Sequence, residues 1–400
     1  MIPELRQRFN ELWTPELYAE FLRRIDISTG THAGFRCNET PVFLPKPLLD
    51  KMVRYGRELY EQLAANSEYR QASEAALPPQ FRVPNETEHP LFVQADFGLV
   101  QEDGNLEPKL VEIQGFASVY GFQLAIANEY LRVYRLREKV DSHLTPFLDG
   151  LNEQSYTELL KRAILNGHAP EEVVLLEIEP YEQKTLPDFL ATQKLLGIKI
   201  ACITEVRKQR GKLIVDGVPV KRIYNRVIVD ELVRKNIRAN FQLKDELDVE
   251  WAGHPNWFFR LSKFSLPWFR HVSVPETRFL SDIDKLPDKL DDYVLKPLYS
   301  FAGLGVKIGP TKEEIQAIPQ SERANFILQR KMDFVPTIYT PEGMTKAEIR
   351  IMYICDAGQM KPVITVVRTG RGKMMGVDFN KNLGWVGASA GFHASATGIT

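Results

Sequence analysis

Apolar residues recur at helical spacing over 2–25 and again over 47–66, where Leu48, Leu49, Met52, Val53, Leu59, Tyr60 and Leu63 fall on one face. Both stretches predict amphipathic helices. The segment 67–90 is polar and carries Pro78-Pro79 and Pro84, which predicts a linker or surface excursion. Residues 91–100 (LFVQADFGLV) and 109–114 (KLVEIQ) then predict two strands around the turn Glu102-Asp103-Gly104-Asn105, followed by a helix over 120–139. A helix over 152–166 precedes VVLLEIE (173–179), a continuous apolar run of the kind a buried strand has. A helix over 186–196, ended by Gly197, leads into a strand at 198–204, and this strand–helix–strand unit implies a small parallel sheet. Asp216-Gly217 marks the turn of a further hairpin that ends in KRIYNRV (221–227). Residues 250–275, rich in Trp, Phe and His, follow neither period.

Regular patterning returns at 293. A strand at 293–297 runs into SFAGLGV (300–306), a helix is expected near 312–317, and strands follow at 326–331, 348–355 and 362–369, the last two flanking Asp356-Ala357-Gly358. The tail from 370 is Gly-rich. The pattern as a whole predicts an α/β (α+β) chain whose last hundred residues form an antiparallel sheet.

Composition narrows the classes. The 400 residues suggest two to three domains at about 100–200 residues each. With 44% apolar and 26% charged residues the chain is ordinary globular protein, which excludes a disordered, collagenous or coiled-coil chain. Lys plus Arg number 51 and Asp plus Glu 52, a net charge of −1, so neither nucleic acid nor an anionic membrane is the expected partner. The three cysteines, Cys37, Cys202 and Cys355, lie far apart and fit a reducing cytoplasm better than a disulfide framework. The start, MIPELRQRFNELW, lacks the apolar core of a signal peptide, and no apolar run approaches the roughly 18 residues of a spanning helix. The seven histidines form no HxxH or HxxxH, and no serine sits in GxSxG.

Four groups of residues carry candidate chemistry. Lys296-Pro297 followed by Ser300–Val306 places a lysine before a small-residue loop, a combination suited to phosphate, although a tight hairpin bearing a surface lysine is the commoner reading of so short a motif. It is not GxxxxGK[ST], and no helix directly follows it. Asp96 and Glu112-Ile113-Gln114 lie on strands joined by one turn, with Glu112 and Gln114 on one face and Val111 and Ile113 on the other. Two carboxylates and an amide oxygen suit Mg²⁺ bridged by phosphates; a solvated strand face is the commoner fate of such residues. Arg350, Arg368, Arg371 and Lys373 form a basic group near the C-terminus, suited to carboxylates or phosphates or to an exposed strand edge. Arg226 in Tyr224-Asn225-Arg226 is an isolated cation for an anion or a surface pair.

In this order these segments resemble the circularly permuted ATP-grasp proteins, of the eukaryotic-type glutathione synthetase and glutathionylspermidine synthase-like kind. Asp96…Glu112-Ile113-Gln114 precedes Lys296 by almost two hundred residues, whereas in most ATP-grasp chains the lysine comes first. Ala95–Gly98 and Glu112–Gly121 are similar to the family's DYM-like and EIN segments. Arg222–Arg226, Leu295-Lys296-Pro297 with Ser300–Gly305, Ile327–Lys331, Glu348, Val367-Arg368-Thr369 and Gly387–Gly391 resemble its later motifs. Gln114 stands where the family has Asn, and Ser300 stands near a metal-binding Glu of the family's loop, which leaves fewer carboxylates for Mg²⁺.

The resemblance implies an ATP-grasp ligase with ATP and Mg²⁺, joining small-molecule carboxylate and amine substrates through an acylphosphate, cytoplasmic and with a homodimer as the default. A nucleotide-binding relative without turnover, or a small-molecule kinase on the same fold, remain open alternatives. The implied organisation is a helical segment over 1–90, a metal-site hairpin over 91–149, an inserted parallel-sheet substrate domain over 150–260 and a nucleotide-binding part over 261–400. Asp96, Glu112 and Gln114 are the implied metal ligands. Lys263, Lys296, Ser300, Ala302, Gly303 and Gly305 would hold phosphates, and Gln329, Arg330, Lys331 and Glu348 the nucleoside. Arg368, Lys296 and Lys373 would act on the reacting groups, Ser118, Arg226 and Arg371 on substrate. The loops 300–305 and 370–391 would be lids.

Overall fold

The computed structural model describes residues 1–300, 303–376, 380 and 382–395. The helix expected over 2–25 is two helices, α1 (Pro3–Leu12) and α2 (Pro15–Thr29). Pro15 cannot continue a helix, but it suits the first turn of the next, where Thr14 accepts a hydrogen bond from the Leu17 amide at 3.3 Å. After β1 (Val42–Phe43) comes α3 (Lys46–Ala65). The expected linker then begins with a further helix, α4 (Ser67–Ala75). Asn66 caps it by accepting from the Tyr69 amide at 3.0 Å, and buried Tyr69 and Ser73 make its short inner face, too brief to stand out as a period.

The hairpin β2 (Phe92–Glu102) and β3 (Asn105–Gln114) forms as expected, longer on both arms. The following helix breaks at left-handed Arg135 into α5 (Tyr120–Val133) and α6 (Leu136–Lys139), ahead of the short strand β4 (Leu144–Thr145). Next come α7 (Glu153–Leu165), β5 (Val173–Glu177), α8 (Leu186–Leu196) and β6 (Lys199–Cys202). A meander β7 (Arg207–Gln209), β8 (Lys212–Val215), β9 (Val218–Val220) precedes β10 (Arg222–Asn225), α9 (Val229–Arg234) and β11 (Glu250–Ala252). The aromatic stretch yields α10 (Trp257–Arg260) and a 3-10 turn over Lys263–Trp268. Then follow β12 (Thr277–Phe279), β13 (Tyr293–Pro297), β14 (Lys307–Ile308), α11 (Lys312–Gln316) and β15 (Phe326–Arg330). The chain closes with β16 (Ile338–Thr340), β17 (Gly343–Asp356), β18 (Gln359–Gly370) and β19 (Gly387–Ala394). Among the described residues no helix is long and apolar enough to cross a membrane.

Among the described residues the strands form four sheets. The largest runs β1-β19-β18-β17-β2-β3, with β16 on β17 and β4 on β19. It joins the early hairpin to strands some 250 residues later: β2 pairs antiparallel with β17 from Phe92–Ile354 to Gly98–Glu348. The parallel sheet expected from the middle of the chain is present as β11-β10-β5-β6. A small antiparallel sheet, β12-β15-β13-β14, carries Lys296 and Gln329.

One correction concerns the Gly-rich tail. Residues 387–391, expected in a lid, belong to a strand between β18 and β1. Gly387 has φ 130°, and a Cβ there would lie 2.4 Å from the Arg36 carbonyl oxygen, so the glycine serves strand packing.

The large sheet has two unlike faces. Ala95, Phe97, Ile349, Ile351 and Val367 pack against Leu49, Met52, Leu59 and Leu63 of α3. On the opposite face, Met352, Ile354 and Ile364 pack with Tyr120, Leu124, Tyr156 and Leu159 of α5 and α7 at one end. The other end of that face is polar, and the small antiparallel sheet and the 374–376 segment stand over it. The candidate cleft lies there.

Candidate functional site: a cationic cleft over the polar end of the large sheet

The floor follows from register and a single bulge. Asp96 on β2 is opposite both Glu112 of β3 and Arg350 of β17, while Glu348 of β17 is opposite Arg368 of β18. Between Asp96 and Phe97 the pairing slips by one residue, leaving Val111 as the extra residue on β3. Leu110 and Ile113 therefore both turn into the core, while Val111 lines the cleft with Glu112 and Gln114. Strict alternation had placed Val111 on the other face; the bulge corrects it.

Arg350 grips Asp96 with two hydrogen bonds, Nε to Oδ1 at 2.6 Å and Nη2 to Oδ2 at 2.7 Å, and donates from Nη1 to Gln94 Oε1 at 2.7 Å. Arg368 also donates to Asp96 Oδ2, at 2.5 Å, and pairs with Glu348. Asp96 is fully buried and does not line the cavity. Both its oxygens are spent on guanidinium groups, so the expected direct metal ligand is instead the anchor of two arginines. Gln114 donates to Gln94 Oε1 at 3.3 Å, and Gln94 donates to the Ser118 carbonyl at 3.0 Å, tying the post-hairpin loop to the floor.

Glu112 is the carboxylate left facing the cavity beside Glu348, with a quarter of its side chain exposed. Lys263 stands 3.5 Å away and Arg350 3.9 Å. Burial alone would raise its carboxyl, but Lys263, Arg350, Arg368 and Lys296 outweigh it and hold Glu112 well below the usual carboxylate range. At Glu348 the balance reverses, and burial pushes the carboxyl up despite Arg368. Burial also opposes the Arg368 charge, but Glu348, Asp96 and Glu112 hold it protonated.

Two lysines enter from above. Lys296 on β13 donates to Gln329 Oε1 at 2.6 Å and to the Val111 carbonyl at 3.2 Å. Burial pushes its ammonium down to about 8. Lys263 donates to the Ser300 carbonyl at 2.6 Å, which anchors the start of the Gly-rich loop. Gln329 is held in turn by donation to Thr277 at 3.1 Å.

These groups line one cavity of about 850 Å³. Of the residues singled out in the sequence, Glu112, Gln114, Ser118, Lys263, Lys296, Ser300, Gly303, Gln329, Arg330, Lys331, Glu348, Arg350, Arg368 and Lys373 border it. Ala302 lies outside the described residues. Gly305 is off the wall and packs toward Pro297.

Two substrate assignments are corrected. Arg226 is sealed below the surface, paired with Asp188 and lying 5.0 Å over the Phe189 ring, while Asp188 also accepts from the Phe122 amide at 3.0 Å. Arg226 therefore braces the start of α5. Arg371 donates to the Gly384 carbonyl at 3.0 Å and Thr340 at 3.3 Å, away from the cavity. Sequence reasoning missed Lys346, which alternation from Glu348 would have placed on the same face, and Phe35, Phe122 and Phe258, for which no local signal exists, whereas Phe116 lies within the family-like segment Glu112–Gly121.

The inventory is cationic. Lys184, Lys263, Lys296, Arg330, Lys331, Lys346, Arg350, Arg368 and Lys373 border the cavity against Glu112, Asp291, Asp333 and Glu348, an excess of positive charge that suits an anion. Among the described residues no cluster of three or more His, Cys, Asp or Glu is placed to hold a metal ion.

No family model matches this chain, and no curated protein matches it by sequence. The fold is similar to a solved structure, a glutathione synthetase-like effector from Globodera pallida in its apo form. The likeness covers 95% of this chain and 99% of the other at 11% identity, with a TM-score of 0.57. The fold of this chain is therefore a glutathione synthetase-like one.

Proposed function

We propose that the cleft binds ATP with Mg²⁺ and that the protein is an ATP-grasp ligase, in circularly permuted order, joining a carboxylate to an amine. The carrying observation is the convergence of residues far apart in sequence, Glu112, Gln114 and Ser118, Lys263, Lys296 and Ser300, Gln329–Lys331, Glu348 and Arg350, and Arg368 with Lys373, on one cationic cavity. The glutathione synthetase-like fold supports the same class. Residues 150–260, with their parallel sheet, would be the inserted substrate domain.

The donor set fits the ligands. Lys296 and Lys263 bring two ammonium groups to one end of the floor, as phosphate oxygens require. Mg²⁺ is commonly held by one or two carboxylates plus substrate phosphates and waters, so Glu112 with the Gln114 amide oxygen is a sufficient protein share. ATP, when bound, would supply the phosphoryl group that turns a carboxylate into an acylphosphate, from which an amine attacking the acyl carbon would expel inorganic phosphate. The chain's part is positioning and charge neutralisation. Gln329–Lys331 would border the nucleoside with Glu348. Arg368, fixed by Asp96 and Glu348, would face the reacting carboxylate, with Lys373 beside it. The segments 300–305 and 370–376 would exclude water.

A second reading, nucleotide binding without turnover, is favoured by one observation: Arg350 and Arg368 occupy both oxygens of Asp96. Thermal unfolding with ATP and ADP, with and without Mg²⁺, tests the shared part. A ligand at 100 times its dissociation constant stabilises by about 2.7 kcal/mol, a shift of a few degrees. ATP should raise the midpoint, more so with Mg²⁺, and Lys296→Ala should abolish the rise. No shift with any nucleotide would overturn both readings. Phosphate release with carboxylate–amine pairs then separates ligase from binder.

A further inference from the structure

Part of the cavity wall is apolar: Phe35, Phe116, Val119, Phe122 and Phe258 line it together with the charged groups. The rings stand in two edge-to-face pairs, Phe35 on Phe122 with centroids 5.1 Å apart and Phe116 on Phe258 at 6.1 Å. They come from four separate places: the segment after α2, the loop after β3, the first turn of α5, and α10. Val119 between them has φ 56° and ψ 27°, a left-handed backbone that a β-branched residue adopts only under constraint from its surroundings. Next to this wall lie Glu112, Gln114 and Ser118, the polar groups of the floor.

Resting on the ligase reading, we propose that the carboxylate substrate carries an aryl or large alkyl group, seated between these phenylalanines while its carboxylate faces the floor. A wall of apolar rings beside a few convergent polar groups is the arrangement that selects an amphiphilic small molecule. The cavity volume, about 850 Å³, is in the upper part of the roughly 300–1,000 Å³ range of ligand sites, which leaves room beside a nucleotide. Phe116, Phe122 and Phe258 are buried in the fold and Phe35 and Val119 are half-buried, so a small hydrophilic acyl group would gain nothing from the exposed part of this wall. Phe35 has a special position, because it also borders a second hollow of about 380 Å³ beneath α2. It is the partition between the two spaces, and its size sets how long a substrate the wall accepts.

Calorimetric titration of the full chain with 3-phenylpropionate, hexanoate and acetate tests this, with and without ADP and Mg²⁺. The two apolar acids should bind at least about tenfold more tightly than acetate, the scale on which apolar pockets discriminate. Phe35→Ala should reduce that preference for 3-phenylpropionate. Phe35→Trp, which keeps an aromatic wall but narrows the space, should shift the preference from 3-phenylpropionate toward the slimmer hexanoate. ADP binding by each variant reports that the cleft is still folded. Equal affinity for acetate and the apolar acids, or a preference unchanged in both variants, would overturn the proposal. Preference for the apolar acids without any nucleotide binding would sustain the aromatic subsite and overturn the ATP reading instead.

Discussion

Asp96 and Arg350 face each other across neighbouring antiparallel strands and are joined by two parallel hydrogen bonds of 2.6 and 2.7 Å. The pair lies under the cleft, with Arg368 on the same carboxylate at 2.5 Å. Removing one member strands a buried charge, at a cost of about 3–5 kcal/mol. Asp96→Ala should therefore lower stability by about that amount in urea unfolding. The double replacement Asp96→Leu with Arg350→Met should recover most of it, because no charge is then left unpaired. A metal ligand would behave differently: its loss would spare stability and remove only Mg²⁺ dependence.

Lys296 sets a pH dependence. Burial lowers its ammonium to about 8 from an unfolded value near 10.4. Between these values the unfolded chain binds more protons, so this residue's contribution to stability rises with pH across that window. Relative to Lys296→Met, the wild type should gain stability from pH 8 to 10, measured by paired denaturant titrations. Anion binding runs the other way. Phosphate-bearing ligands need the ammonium, so their affinity should fall as pH rises through about 8, and the Met variant should lack that step.

Glu112 carries the divalent-ion prediction. Its carboxylate faces Lys263 and Arg350 and is held ionised by them with Arg368 and Lys296. That stabilisation is present above the ordinary carboxylate range and is lost as pH falls through the lowered value. Glu112→Gln should remove the Mg²⁺-specific part of the ATP-induced thermal shift. The Mg²⁺-free part should survive or grow, since a negative charge has left a phosphate site.

Gly98 tests how the cleft is closed at the side. It lies on the floor opposite Glu348, and a Cβ there would come within 2.0 Å of the Phe334 ring, which lines the cavity. The adjoining Val335 amide donates to the Leu99 carbonyl at 2.8 Å, so this stretch has little freedom to retreat. Gly98→Ala should cost roughly 1–3 kcal/mol by overpacking. It should also weaken nucleotide binding, because the ring must move into the space the nucleotide would use. Unfolding and ADP titration of the same variant report both effects.

Much of the architecture was legible before any coordinate. Period-two patterning with Asp103-Gly104 and Ala357-Gly358 turns predicts the two hairpins that make the large sheet, and all four turn residues have positive φ. The apolar run at 173–177 and its neighbouring helix predict the parallel sheet. Lys296, Glu112, Gln114 and Arg368 were legible as candidates because charged or amide side chains beside small-residue loops or on strands of mixed character break the local pattern. What failed were features without a local signature. The α4 helix is too short for a period, and residues 387–391 look like a loop because strand glycines chosen for close approach are indistinguishable from flexible ones.

The sequence by itself determined most of the segments that form strands and helices, and that polar side chains interrupt particular strands, because both follow from near-neighbour periodicity. Only the tertiary structure decided which charges meet. Asp96 became an anchor for two arginines and Arg226 a brace for α5, because the partners Arg350, Arg368 and Asp188 come from strands and helices that no local pattern pairs with them. The Val111 bulge, the aromatic wall around Phe35 and the lowered ammonium of Lys296 likewise arise from packing between segments far apart in the chain. Desolvation and charge pairing depend on distance in space, and a linear pattern does not contain that distance.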